Sequence, residues 1–164
     1  MVAKGSTSKW CFYDNGHHFP ASLLGDKESR NEYYTSAIYF ESLLINAGIT
    51  GLIKVITKRS RPYTYNPAVP LEKKLELDAR HSFFSGHTSF AATGSFFIAK
   101  TYTDLNPGSK GNPYIWAGAA IFPAITGILR YKAGKHFPSD IIVGYIVGAA
   151  VGILVPHLHK RWDG

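Results

Sequence analysis

Cysteine is nearly absent from this 164-residue chain. Cys11 stands alone, which excludes an internal disulfide and any zinc site built from several cysteines. Charge is also scarce: Asp, Glu, Lys and Arg make up 18% of the residues, against about 25% in ordinary soluble domains. Acidic residues are the scarcer sign, 11 against 18 basic, for a net charge of +7. Such a balance suits an anionic partner. No basic stripe interleaved with aromatics is present, so nucleic acid is not expected as that partner. The first twenty residues, MVAKGSTSKWCFYDNGHHFP, lack the apolar core of a signal peptide. They carry two adjacent histidines, His17 and His18, with no third metal ligand nearby. Long uncharged apolar runs are missing too: inside the apolar segments they reach only about 15 to 17 residues, near the lower limit for a bilayer span. There is no internal repeat and no low-complexity tract.

What is present is four apolar segments, Tyr33–Ile56, Gly86–Thr103, Pro113–Arg130 and Pro138–His157. Each is too long for an ordinary strand and long enough for a helix. Pro113 and Pro138 suit first helical turns, and Pro156 suits a stop. Segments three and four are apolar nearly all round, as buried or lipid-facing helices are. Gly144, Gly148 and Gly152 form one small-residue stripe of the kind that packs membrane helices closely. A membrane bundle is the favoured reading, and a soluble helical bundle is the alternative. The chain divides into a polar, aromatic segment 1–32 and a helical domain 33–164.

Short connections make neighbouring helices alternate in direction. The end of segment one, the start of two, the end of three and the start of four then lie at one end of the bundle. Lys54, Arg61, His87, Arg130, His136 and Asp140 converge there.

Three blocks carry the chemistry. In KVITKRSRP, Lys54 and Arg61 are seven residues apart, about two helical turns, so a continuing helix would put both on one face. Arg offers a planar fork for phosphate oxygens and Lys a point charge. In FFSGHTS, Ser85 is an N-cap candidate, and the free N–H groups of a helix start favour an anion. Gly86 lets a ligand approach the backbone, and His87 can give a proton to a leaving oxygen. In RYKAGKHFPSDII, His136 and Asp140 are four apart. One imidazole nitrogen can donate to the carboxylate, leaving the other free as a nucleophile. Each block alone also reads as plain structure: a snorkelling basic rim, a capped helix with a surface histidine, and a carboxylate in a first helical turn. The donor set lacks the carboxylates of a dinuclear metal site, so no metal or other cofactor is expected.

The three blocks, in this order, resemble the type 2 phosphatidic acid phosphatase superfamily, whose signature is K-x6-R-P, P-S-G-H and S-R-x5-H-x3-D. The resemblance runs over roughly residues 33–157, with the spacings intact. Phe84 stands where the family has Pro, and Leu129 where it has Ser. The family's membrane members have more spans than the four segments here, so one or two N-terminal helices are expected to be missing or replaced by the polar segment. The resemblance implies an all-α fold, a transmembrane bundle of at least four apolar helices with the active site at one end. It implies a metal-independent phosphatase in which His136 attacks phosphorus, Asp140 orients it and His87 protonates the leaving group. Lys54, Arg61, Ser85, Gly86 and Arg130 would bind the phosphoryl oxygens. The implied substrate and partner is a phosphorylated membrane lipid: phosphatidate, phosphatidylglycerol phosphate, a polyprenyl diphosphate or a phosphorylated lipid A. No obligate protein partner is implied. The implied location is a bacterial inner membrane, with the site facing the periplasm. The loop 62–81 is expected over the site, with Tyr63 and Tyr65 at an interface. Alternatives are a soluble acid phosphatase, a vanadate-binding haloperoxidase-like protein, or an inactive membrane scaffold.

Overall fold

The computed structural model describes residues 27–160, with side chains from residue 32. His17, His18 and most of the expected segment 1–32 lie outside the described residues. Four long helices carry the fold: α1 (Lys27–Thr57), α3 (Gly86–Leu105), α4 (Asn112–Lys132) and α5 (Pro138–Leu158). The short α2 (Leu71–Leu75) sits between two 3₁₀ turns, Pro62–Tyr65 and Leu77–Arg80. No strand occurs among the described residues. The architecture is all-α, as expected. Helix α1 begins six residues before the expected start at Tyr33. Pro156 does not stop α5, which runs two residues further.

The sequence explains the helix ends. Pro138 opens α5 with its fixed φ, and Ser85 accepts a hydrogen bond from the Thr88 N–H to cap α3. Helix α4 closes with a Schellman turn. Gly134 takes φ +65°, its N–H donates to the Tyr131 carbonyl at 2.8 Å, and the Lys135 N–H donates to the Arg130 carbonyl at 3.2 Å. Gly bears this left-handed conformation without a Cβ penalty. This turn sets the distance along the chain from Arg130, in the last turn of α4, to His136.

Helix α3 lies at the centre and packs most closely on α5. A Cβ added to Gly148 would stand 2.1 Å from the Ser89 carbonyl oxygen, with similar clashes at Gly144 and Gly152. The small-residue stripe therefore brings two helix backbones into contact. Two apolar clusters, Ile38 with Phe97, Val151 and Val155, and Ala92 with Phe96, Ala99 and Ala119, share the interior with polar groups. Ser42, Asn46, Thr50, Ser89 and Thr93 are buried, the Ser89 hydroxyl donates to Asn46 Oδ1 at 2.6 Å, and Thr93 Oγ1 donates to the Gly148 carbonyl at 3.2 Å. The outside is apolar: Leu52, Val55 and Ile56 on α1, Ile121 and Phe122 on α4, and Ile146 on α5 are all exposed. An apolar exterior around an interior rich in hydroxyls is the pattern of helices solvated by lipid. Two stretches, Glu32–Tyr65 and Pro138–Leu158, are long and apolar enough to cross a bilayer, with mean hydropathies of 1.4 and 2.2. Helices α3 and α4 fall short of that measure. The hydroxyl-rich interior face of α3 lowers its hydropathy without exposing those hydroxyls to lipid.

Candidate active site

The C-terminal ends of α1 and α4 and the N-terminal ends of α3 and α5 meet at one end of the bundle, linked by hydrogen bonds. The Ser85 N–H donates to the Asp140 carbonyl at 2.9 Å, the Ser82 N–H to the Arg59 carbonyl at 2.9 Å, and the Tyr63 N–H to the Gly134 carbonyl at 3.2 Å. Residues far apart in sequence thus share one small region.

Arg61 does not continue helix α1. The helix ends at Thr57, Lys58 takes φ +44°, and Arg61 is extended before Pro62. A residue preceding proline is pushed from the α region, so the expected single helix face for Lys54 and Arg61 does not form. Arg61 is instead buried, 4% exposed, with a hydrogen bond from each of its three nitrogens. Its Nε donates to the Asp78 carbonyl at 2.8 Å, Nη2 to Asp78 Oδ1 at 2.6 Å, and Nη1 to the Lys135 carbonyl at 3.2 Å. Partial burial alone would raise the Asp78 pKa, but the Arg61 hydrogen bond and charge hold it below the usual carboxylate value.

His136 is also buried, 1% exposed. Its Nδ1 lies 2.9 Å from the Ser82 carbonyl oxygen. A carbonyl only accepts, so Nδ1 carries the proton and Nε2 carries the lone pair. Nε2 faces Arg61 Nη1 at 3.4 Å. Burial first, and then the Arg61 charge, bring the imidazole pKa from 6.5 to about 4. The ring is therefore neutral near pH 7.

The expected imidazole–carboxylate hydrogen bond is not formed. Asp140 Oδ2 stands 3.7 Å from His136 Nδ1. The buried carboxylate accepts instead from Arg59 Nη1 at 2.6 Å, from the Ser82 hydroxyl at 2.5 Å and from the Phe137 N–H at 3.0 Å. The reason is local. Asp140 in the first turn of α5 bends back to the Phe137 N–H, and Ser82, held on the Arg59 carbonyl, gives its hydroxyl to the carboxylate and its carbonyl to the ring. Asp140 thus acts on His136 through Ser82, whose hydroxyl it binds and whose carbonyl holds the ring.

The remaining predicted residues surround this pair. Lys54 approaches the start of α3, its Nζ 3.6 Å from where a Gly86 Cβ would be. Ser85 is buried, and its hydroxyl pairs with Thr88 Oγ1 at 2.9 Å, so it caps the helix and does not point freely toward a ligand. His87 is exposed in the first turn of α3, within electrostatic range of Arg130, Lys54 and Arg61. Arg130 Nε is buried without a hydrogen-bond partner in the protein. A buried guanidinium N–H needs an acceptor, and a phosphoryl oxygen would serve.

Sequence reasoning missed Arg59, Ser82 and Asp78. Arg59 looked like part of a basic rim. It stacks over the Phe137 ring at 4.3 Å and binds Asp140. The available signal was two arginines two residues apart, in a chain poor in acids: when buried, such groups require carboxylate partners. Tyr63 and Tyr65 differ from each other. Tyr65 is 72% exposed, whereas the Tyr63 hydroxyl is buried and unpartnered in the protein. Among the described residues, no three His, Cys, Asp or Glu side chains gather as a metal site would require.

The sequence profile of the PAP2 superfamily matches residues 35–163. Among curated proteins, the chain is 37% identical over 90 residues to phospholipid phosphatase 1 of Mus musculus, covering 51% of this chain and 30% of that protein. It is 25% identical over 135 residues to an undecaprenyl-diphosphatase of Sulfolobus acidocaldarius, covering 82% and 58%. It is 39% identical over 80 residues to a lipid A 1-phosphatase of Porphyromonas gingivalis, covering 49% and 16%. The chain spans less than two thirds of the length of each of these relatives. No solved structure matches.

Proposed function

The chain belongs to the PAP2 superfamily, and from that premise we propose that it is a metal-independent phosphatase acting on a membrane lipid phosphate or diphosphate through a phosphohistidine intermediate. One observation carries this reading. His136 is a neutral, buried imidazole with Nδ1–H on the Ser82 carbonyl and Nε2 turned toward Arg61. That is a nucleophile with its tautomer fixed and its target position bordered by cations.

In the proposed reaction, Nε2 of His136 donates its lone pair to phosphorus as the bond to the leaving oxygen breaks. Burial and the charges of Arg130, Lys54 and Arg61 lower the His87 pKa. The anionic substrate offsets those charges, so that His87 takes up a proton on binding and gives it to that oxygen. Lys54, Arg61 and Arg130, with the Gly86 N–H, stabilise charge on the phosphoryl oxygens. Positioning and charge stabilisation are the main catalytic needs of phosphoryl transfer. Water then attacks phosphorus, the N–P bond breaks, and neutral His87 takes the proton from water. Asp140 and Ser82 serve as positioning residues.

The lipid assignment rests on the apolar exterior and on relatives named for lipid substrates. We place the active end on the periplasmic face of a bacterial inner membrane, a reading that phosphate release by intact spheroplasts would test. The test of the activity is a panel of lipid phosphates and soluble phosphate esters, assayed in detergent with chelator present. Vanadate-sensitive, chelator-resistant release favouring the lipids is expected. Release that chelator abolishes, or no preference for lipids, would overturn the proposal.

A further inference from the structure

A cavity of about 440 Å³ lies beside the site, between the chain following Arg61 and the turn preceding His136. Its lining includes Tyr63, Asn66, Lys73, Lys132, Gly134 and Lys135, and no acidic side chain. The three lysines come from three places: α2, the last turn of α4 and the Schellman turn. Among the described residues, none of the three is ion-paired with a carboxylate. The two walls are tied together by the Tyr63 N–H on the Gly134 carbonyl and by Lys135 Nζ, 4.9 Å over the Tyr63 ring. A solvated basic rim explains any one of these lysines. It does not explain three, from separate elements, around one concavity without an acid. Like charges gathered on a concave surface raise the potential there and draw in anions.

The cavity adjoins the reaction site through the backbone. Lys135 immediately precedes His136, and its carbonyl accepts from Arg61 Nη1. Pro62 and Tyr63 immediately follow Arg61. Its volume falls within the range of about 300–1,000 Å³ typical of small-ligand sites. Lysines are point charges without the directional fork of arginine, so they suit an oxyanion held loosely and not the phosphoryl group under attack. We propose that this cavity is a second oxyanion subsite, which holds a second phosphate-class group while the first lies at His136. It rests on the phosphatase reading given above. The second group is carried by the substrate itself, as in a diphosphate, or arrives as free phosphate.

The test compares wild type with the Lys73→Gln/Lys132→Gln double variant, and with Lys73→Gln alone as a milder change. Both lysines are exposed, and thermal unfolding in detergent checks that the fold is kept. The substrates are a polyprenyl diphosphate and the matching monophosphate. The ratio of kcat/KM for diphosphate to that for monophosphate is expected to fall about tenfold in the double variant, the effect of losing a charge-assisted contact. In a second arm, inorganic phosphate is titrated into the monophosphate assay. If free phosphate fills the subsite, wild type departs from simple competitive inhibition and the double variant does not. An unchanged ratio together with an unchanged phosphate response overturns the subsite, as does equal loss on both lipids. If wild type releases phosphate from neither lipid nor from any other lipid of the panel, the phosphatase reading itself has failed.

Discussion

Replacing Asp140 with Asn separates an indirect role for this carboxylate from a direct one. The substitution keeps the shape and removes the charge. Asp140 accepts from Arg59, Ser82 and Phe137, while His136 Nδ1 stands 3.7 Å away. A hydrogen bond to a charged group is worth about 1.5–3 kcal/mol. The Arg59 side chain is 37% exposed, so the loss on that side should lie at the lower end of the range. The catalytic effect follows from what holds the ring. Nδ1–H stays on the Ser82 carbonyl, so the tautomer survives and the ring only shifts. A displacement of about 1 Å costs on the order of 10²-fold in rate, whereas a nucleophile's partner left in the wrong tautomer costs about 10⁴-fold. Asp140→Asn should therefore lower kcat about 10²-fold with KM nearly kept. Ser82→Ala, which loosens the same carbonyl without touching the charge, should cost less, about tenfold. The Asp140 charge favours protonation of His136, so its removal should shift the acid limb of the rate profile to lower pH. Steady-state kinetics across pH, with thermal unfolding as the control, would check all three. A loss of 10⁴ or more in a folded Asp140→Asn protein, or an acid limb that moves upward, would refute the reasoning.

Two predictions concern the buried imidazole and a third the contact between α3 and α5. The acid limb of kcat/KM should lie near pH 4, where His136 gains its proton, and not near the 6.5 of a free imidazole. The same group should make the fold less stable as pH falls from about 6.5 through 4, because the unfolded chain takes up that proton first. A limb at 6.5 in a pH–rate series would contradict the burial argument. Gly148→Ala should destabilise the protein by at least about 2 kcal/mol, since its Cβ would meet the Ser89 carbonyl at 2.1 Å and neither backbone can yield alone. A melting temperature equal to wild type would count against backbone contact between α3 and α5.

Much of the frame was legible because helices leave long-range marks in local sequence. The four apolar segments, the prolines at the starts of α4 and α5, and the glycine stripe of α5 all have local causes and all appear in the structure. Alternating helix direction then brings Lys54, Arg61, His87, Arg130, His136 and Asp140 toward one end. What was not legible lies in the irregular chain between α1 and α3. The path of residues 58–61 depends on a left-handed Lys58 and on Pro62, and helical spacing carried past Thr57 misplaced Arg61. The contacts of Arg59 with Asp140 and of Ser82 with His136 join residues 81 and 54 positions apart. No periodicity encodes such pairings, because they arise only when two loops are packed by the helices they connect. His136–Asp140 spacing suggested a direct hydrogen bond for the same reason: sequence distance could not reveal that Ser82 supplies a partner to each of them.

The central claim, that His136 becomes phosphorylated, is tested most directly by trapping the enzyme during turnover. Wild-type protein in detergent would be mixed with a lipid substrate labelled in its terminal phosphate, quenched in alkali and mapped by mass spectrometry. The account predicts an acid-labile phosphate on the peptide containing His136, and none in His136→Ala. Label absent from wild type during active turnover, or phosphate release by His136→Ala at a near-normal rate, would contradict it.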